Sequence, residues 1–210
     1  MSRFTILLGG DLVATATLRR QVAASRVIAA DAGIRHAAAL GVVPELWVGD
    51  FDSVPAALPE SMAQVPRRTF PVEKDKTDGE LAADIARQQG ATALLFAGAF
   101  GGSRGDHEFL HLALAWRLAS AGQSIMLSSG TQEGIPLLPG TASFDYPDGT
   151  LFSILAFSDL AGLSVQGAKW PLRDVTVEFG SSLTLSNETC GHLTITLGSG
   201  RALLIVHPKV

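Results

Sequence analysis

Residues 46–54 read LWVGDFDSV: a short apolar run ends in glycine, and two aspartates follow with one phenylalanine between them. The same event recurs through the first half of the chain. Residues 4–8 run out into Gly9, Gly10 and Asp11, and residues 26–30 into Asp31. Residues 68–70 lead into FPVEKDKTDGE, with Asp75 and Asp78, and residues 93–97 into AGAFGGSRGDHEF, with Arg104 and Asp106. Helical patterns fill the intervals at 12–24, 34–40, 80–89 and 108–121, and a further apolar run follows at 124–127. Strands alternating with helices predict a mostly parallel sheet covered on both faces. All its strands then end along one edge, where open α/β sheets take their ligands, so acids distant in the chain meet there.

After residue 129 the helical pattern stops. Short runs at 151–157, 163–166, 175–179, 183–185, 193–197 and 202–206 alternate with period two and are separated by glycine, serine, threonine, proline and aspartate. That is the pattern of half-buried antiparallel strands. The expected fold is an α/β N-terminal domain with a mostly parallel sheet, followed by an all-β sandwich C-terminal domain. The boundary is placed in SSGTQEGIPLLPGT, residues 128–141, which gives domains 1–132 and 133–210.

Composition narrows the partners. The chain has 210 residues, 47% of them hydrophobic and 17% charged, with net charge −4, so it can bury a sizeable core. It has four lysines and no basic stripe, which argues against nucleic acid. The single cysteine, Cys190, can form no internal disulfide and fits a reducing compartment. The opening apolar run is too short for a signal sequence or a membrane span, so a cytoplasmic protein is expected.

Carboxylates gathered at one edge repel one another and call for a cation. Mg²⁺ suits them, because it takes oxygen ligands, keeps several waters and bridges to substrate phosphates. In an extended segment Asp50 and Asp52 point the same way and can address one ion or two neighbours. LLGGD lets backbone N–H groups approach an anion, and Arg104 can fork onto phosphate oxygens. Ordinary roles compete with these. Thr77 and Glu80 form a capping box that puts Asp78 in a first helical turn, and Asp106 also lies near a helix start. Asp11 reads as a helix cap, Asp31 as a turn residue, and GDFDS as a polar turn with Pro55 opening a helix. His107 and His111 lie four apart but lack the H-E-x-x-H pattern of a zinc site. Capping accounts for each acid separately, not for an Asp pair, an Asp-x-x-Asp and an Arg-x-Asp on one edge.

In that order, ADAGIRHAAALGVVPELWVGDFDSV, KDKTDGELA, GGSRGDHEFLHLALA, GAKWPL and FGSSLTLSNET resemble the thiamine pyrophosphokinases over nearly the whole chain. The resemblance implies transfer of the diphosphate of ATP to the hydroxyl of thiamine, with ATP as co-substrate and Mg²⁺ as cofactor. It implies metal ligation by Asp50, Asp52, Asp75 and Asp78. It also implies catalytic roles for Asp52, Asp78, Arg104 and Asp106, and nucleotide contacts from Gly9, Gly10, Asp31, Gly33, Arg104 and His107. Ala32 stands where the family's ADGGA block has glycine. Trp170 matches an aromatic residue that stacks on thiamine, and Ser186 and Asn187 match the residues lining that pocket. Read without the resemblance, Trp170 is a sandwich core residue and Asn187 a turn former. Family members are homodimers that share the thiamine site between subunits. The alternatives are a pyrophosphokinase acting on another alcohol, such as a hydroxymethylpterin, and a non-catalytic nucleotide- or thiamine-binding module.

Overall fold

The computed structural model describes residues 2–51, 59–71, 73 and 75–209. The chain forms two compact units. One comprises residues up to Leu114 together with Gln123–Gly130; the other comprises Ala115–Gly122 and the residues from Thr131 onward.

The first unit carries six strands: β1 (Arg3–Leu7), β2 (Arg26–Ala30), β3 (Leu46–Gly49), β4 (Arg67–Thr69), β5 (Ala93–Ala97) and β6 (Ser124–Ser128). Their order in the sheet is β6-β5-β1-β2-β3-β4, and every pairing is parallel. β1 and β2 are buried at four of their five positions, because parallel sheets are covered on both faces and need no polar alternation. The helices are α1 (Ala16–Ala23), α2 (Ala37–Leu40), α3 (Glu60–Ala63), α4 (Asp78–Gln88) and α5 (Gly105–Ser120), with a 3₁₀ turn at Asp31–His36 leading into α2. Leu18 and Val22 of α1 join Leu7, Val27, Ala29, Ile34 and Trp47 in one core. Fully burying a side chain of this kind contributes about 1.5–3 kcal/mol. α4 presents Gly79, Ala82, Ala83, Ile85 and Ala86 to the interior, small residues that let it lie close over β1, β2 and β3.

Between β1 and β5 the strand order reverses. A crevice opens at the carboxyl ends of the strands there, as expected at a reversal of strand order.

The second unit is antiparallel throughout. It contains β7 (Glu133–Leu137), β8 (Gly140–Phe144), β9 (Leu151–Ala156), β10 (Leu160–Ala168), β11 (Leu172–Val177), β12 (Asn187–Leu197) and β13 (Ala202–His207). β13 pairs with both β7 and β9, and β10 pairs with β11 and β12. The long β12 serves three ladders: besides pairing with β10, it pairs with β9 through Asn187 and Glu188 and with β8 through Leu193–Leu197. Leu163, Val165, Leu193, Ile195 and Leu197 alternate inward and form its core with Phe152 and Ile154. The Tyr146 hydroxyl donates to Glu133 Oε2 at 2.7 Å; burial and that carboxylate push the phenol far above its ordinary range.

Several expectations change. The helix foreseen at 12–24 begins only at Ala16, where the Thr15 side chain accepts the Leu18 amide as N-cap. Asp11 is therefore not a helix cap. The helix foreseen at 34–40 is instead the 3₁₀ turn plus one α turn. Residues 183–185 form a turn and not a strand, although the Thr184 carbonyl accepts the Ile154 amide at 2.9 Å. The stretch assigned to the domain boundary contains β7 and the first residues of β8. The helix expected from Pro55 lies outside the described residues. Among the described residues no helix is long and apolar enough to cross a membrane.

Candidate active site

A cavity of about 510 Å³ occupies the crevice between β1 and β5, and all its lining residues belong to the first unit. Gly9 and Gly10 line it from the end of β1, Asp31 and Ala32 from the end of β2, and Asp50 from the end of β3. The start of α4 contributes Thr77 and Asp78, the loop after β5 contributes Gly101, Gly102 and Arg104, and α5 contributes His107, Glu108 and His111. Asp31, Asp50, Asp78, Gly9, Gly10, Arg104 and His107 are thus brought together as the sequence predicts. Asp52 lies outside the described residues. Asp75 is exposed, and neither it nor Asp106 lines the cavity.

Local structure explains how these groups are held. Thr77 caps α4 by accepting the Glu80 amide at 3.3 Å, which fixes Asp78 in the first turn at the cavity wall. Asp31 has φ 45° and Phe51, next to Asp50, has φ 63°. Left-handed backbone is tolerated by aspartate but costly for phenylalanine, and such strain concentrates at functional sites. The buried Trp47 supports both: its Nε1–H donates to the Asp31 carbonyl at 2.9 Å, and its ring meets Phe51 edge-on at 4.9 Å. Gly33 is buried beneath the cavity and does not line it. A Cβ there would lie 2.1 Å from the Leu7 carbonyl oxygen, so packing of the 3₁₀ turn onto β1 accounts for this glycine. Ala32 lines the cavity, and its methyl would stand 3.6 Å from a Cβ built at Gly9.

The glycine turn after β1 differs from expectation. Two of its amides are bonded inside the protein: Gly10 N–H to Gly98 O at 2.9 Å and Asp11 N–H to Phe100 O at 2.7 Å. The Asp11 carboxylate accepts the Gly102 amide at 3.1 Å and ties the β1 loop to the β5 loop. The amides expected to face an anion are therefore already engaged at Gly10 and Asp11. Arg35, which the motif reading passed over, lines the cavity and donates through Nη2 to the carbonyls of Gly9 and Gly10.

Arg104 grips Asp106 with both arms, Nε to Oδ1 at 2.9 Å and Nη2 to Oδ2 at 2.7 Å. The guanidinium holds the Asp106 carboxyl far below the usual range, and Arg104 is raised in turn. His111 is 7% exposed, and burial lowers its pKa, so it is neutral; one ring nitrogen lies 3.3 Å from the Ala99 carbonyl.

Among the described residues no group of three or more His, Cys, Asp or Glu side chains is placed to hold a metal ion. The cavity acids Asp31, Asp50, Asp78 and Glu108 are nonetheless hard oxygen donors supplied by four separate segments. That donor chemistry fits Mg²⁺, which binds through one or two carboxylates and leaves its other positions to water and phosphate.

In the second unit Trp170 is 54% exposed, so it is not a core residue. Lys169 Nζ lies 4.7 Å from its ring centroid and 3.2 Å from Glu188. Asn187 is buried, and its side chain brackets the Trp170 backbone, accepting the amide at 3.2 Å and donating to the carbonyl at 2.8 Å. Ser186 is exposed with φ 59°, and its amide donates to Ser153 Oγ.

The family model "Thiamin pyrophosphokinase, catalytic domain" matches residues 19–127, and "Thiamin pyrophosphokinase, vitamin B1 binding domain" matches residues 143–201. The thiamine pyrophosphokinase of Bacillus subtilis (strain 168) is 28% identical over 170 residues, covering 79% of this chain and 78% of that protein. The crystal structure of a thiamine pyrophosphokinase from Bacillus subtilis superposes with a TM-score of 0.84 at 23% identity, over 100% of both chains. That of a thiamin pyrophosphokinase from Geobacillus thermodenitrificans has a TM-score of 0.78 at 28% identity, over 100% of this chain and 98% of that one.

Proposed function

The chain belongs to the thiamin pyrophosphokinase family, and from that premise we propose how its residues divide the work. The enzyme transfers the diphosphate group of ATP to the hydroxyl of thiamine, giving thiamine diphosphate and AMP. In our reading residues 1–132 form the α/β catalytic domain that holds ATP and Mg²⁺. Residues 133–210 form a β-sandwich that holds thiamine against Trp170, beside Ser186 and Asn187. The functional unit is a cytoplasmic homodimer that shares the thiamine site between subunits.

The observation that carries the catalytic assignment is the convergence of Asp31, Asp50, Asp78 and Arg104 on one cavity at the strand-order reversal. Asp50 and Asp78 of the cavity, together with Asp52 and Asp75, would hold the metal. When bound, Mg²⁺ would supply positive charge beside the triphosphate oxygens. The thiamine hydroxyl oxygen attacks the β-phosphorus in line, the bond from that phosphorus to the α-phosphate oxygen breaks, and a cavity aspartate takes the hydroxyl proton. Arg104, presented by Asp106, faces the oxygens of the transferred group, where its charge matters most as the transition state forms. Asp31 and His107 line the nucleotide side with Gly9 and Gly10. Holding donor and acceptor in register supplies most of the acceleration in phosphoryl transfer.

The test is AMP release from ATP and Mg²⁺ with and without thiamine, with a pterin alcohol as control acceptor. Thiamine-dependent AMP is expected. AMP formed equally well with the pterin alcohol would replace the acceptor assignment, and nucleotide binding with no AMP would make the chain a binding module.

A further inference from the structure

An anion arriving at the β1 turn does not meet a ring of available amides. Leu8 N–H is bonded to Ala97 O at 2.7 Å, and the amides of Gly10 and Asp11 are bonded to the β5 loop. The turn offers the carbonyl oxygens of Gly9 and Gly10, and uncovered carbonyls repel phosphate. Arg35 covers both: its Nη2 reaches Gly9 O at 2.5 Å and Gly10 O at 2.9 Å. His36 reinforces the brace with a ring nitrogen 2.9 Å from Gly10 O. The guanidinium is exposed at the cavity wall, and among the described residues nothing hydrogen-bonds its Nη1.

Charge makes this arginine consequential. Four carboxylates line the cavity, from Asp31, Asp50, Asp78 and Glu108, against two guanidiniums, and Arg104 is already forked onto Asp106. We infer that Arg35 is a second phosphate-binding residue, holding the polyphosphate of ATP against the β1 turn. The planar fork suits the task, because one arm stays on the backbone carbonyls while the other meets a phosphate oxygen. Sequence inspection does not single it out, since an arginine between Ile34 and His36 reads as a solvated helix face. The inference rests on the reading that ATP occupies this cavity.

The experiment is equilibrium binding of ATP, and separately of adenosine, to the full chain in Mg²⁺. It compares wild type, Arg35→Gln and Arg35→Lys, each checked by thermal melting. Arg35→Gln is expected to weaken ATP about 10- to 100-fold, the value of one charge-assisted hydrogen bond. Adenosine should bind as in wild type, and Arg35→Lys should recover most of the ATP affinity. A purely structural brace would weaken ATP and adenosine alike or leave both unchanged, and either result overturns the inference. Should Arg35→Gln fold poorly, Arg35→Lys decides alone: an equal loss for both ligands counts against phosphate contact, and a small loss confined to ATP supports it. A wild-type chain that binds no ATP would overturn the cavity reading itself, a result distinct from wild-type behaviour in the Arg35 variants.

Discussion

Arg104 and Asp106 are two residues apart and meet in a two-armed ion pair at the mouth of the cavity, although both side chains are 64% exposed. In an exposed position such a pair contributes little to stability. Its two bonds fix the direction of the guanidinium, which under the proposed function is the role of Asp106. Arg104→Gln is therefore expected to lower kcat by about 10²- to 10³-fold, as when a donor to a developing charge is removed. Asp106→Asn keeps one acceptor for the fork and should do less damage. Steady-state AMP formation, with melting curves as a control, checks the order. If Asp106→Asn were the more severe, Asp106 would have to touch the reacting groups itself.

Asp52 follows the strained Phe51, which follows the cavity residue Asp50. If Asp52 holds the metal as proposed, Asp52→Asn should abolish turnover while circular dichroism and melting temperature stay as in wild type. A Mg²⁺ titration is the decisive measurement. A variant that reached the wild-type rate at saturating Mg²⁺ would remove Asp52 from the metal site.

The half-buried His36 and the buried His111 are expected to contribute to the acid limb of stability. Burial is the main cause of the lowered pKa at both His36 and His111. His36 has Arg35 and Asp11 near it, and His111 has His107 and Glu108. A lowered folded pKa means that the unfolded chain binds the proton first, starting near the ordinary value of about 6.5. The unfolded state then carries more protons, so stability rises with pH through this window and is lost on acidification below it. Melting temperature should fall as pH is lowered from about 7.5 to 5.5, and His111→Asn should flatten that slope. A variant with the wild-type slope would show that His111 does not contribute to it.

β2 and β5 were legible to the residue because parallel strands are continuous apolar runs. β7 was missed because Glu133, Gly134 and Pro136 interrupt such a run. Residues 183–185 resembled a strand because Thr184 does bond to Ile154 of β9, but only through a single turn. The acids at the strand ends were readable because topology alone carries them to one edge. Arg35 and the Asp11–Gly102 brace were not, since they depend on the winding of a 3₁₀ turn and on which peptide groups two glycine loops use against each other. The use of the Asn187 side-chain amide on the backbone of Trp170 is equally illegible, because it depends on which peptide groups the fold brings beside it.

That last relationship yields a prediction of its own. Asn187 accepts the amides of Trp170 and Glu188 and donates to the Trp170 carbonyl, so its short side chain sets where the indole stands above the sheet. Asn187→Ala leaves those backbone groups without partners, and a buried unsatisfied group costs about 1–3 kcal/mol. The melting temperature should fall. The kinetic signature should be selective as well: KM for thiamine rises by about tenfold while KM for ATP is unchanged, because the cavity proposed for the nucleotide is lined by the other unit alone. Trp170→Ala should give the same thiamine defect with a smaller loss of stability, since the indole is more than half exposed. A merely structural Asn187 would lower stability and leave the thiamine KM alone, and a Trp170→Ala enzyme with the wild-type thiamine KM would take the indole out of the binding site.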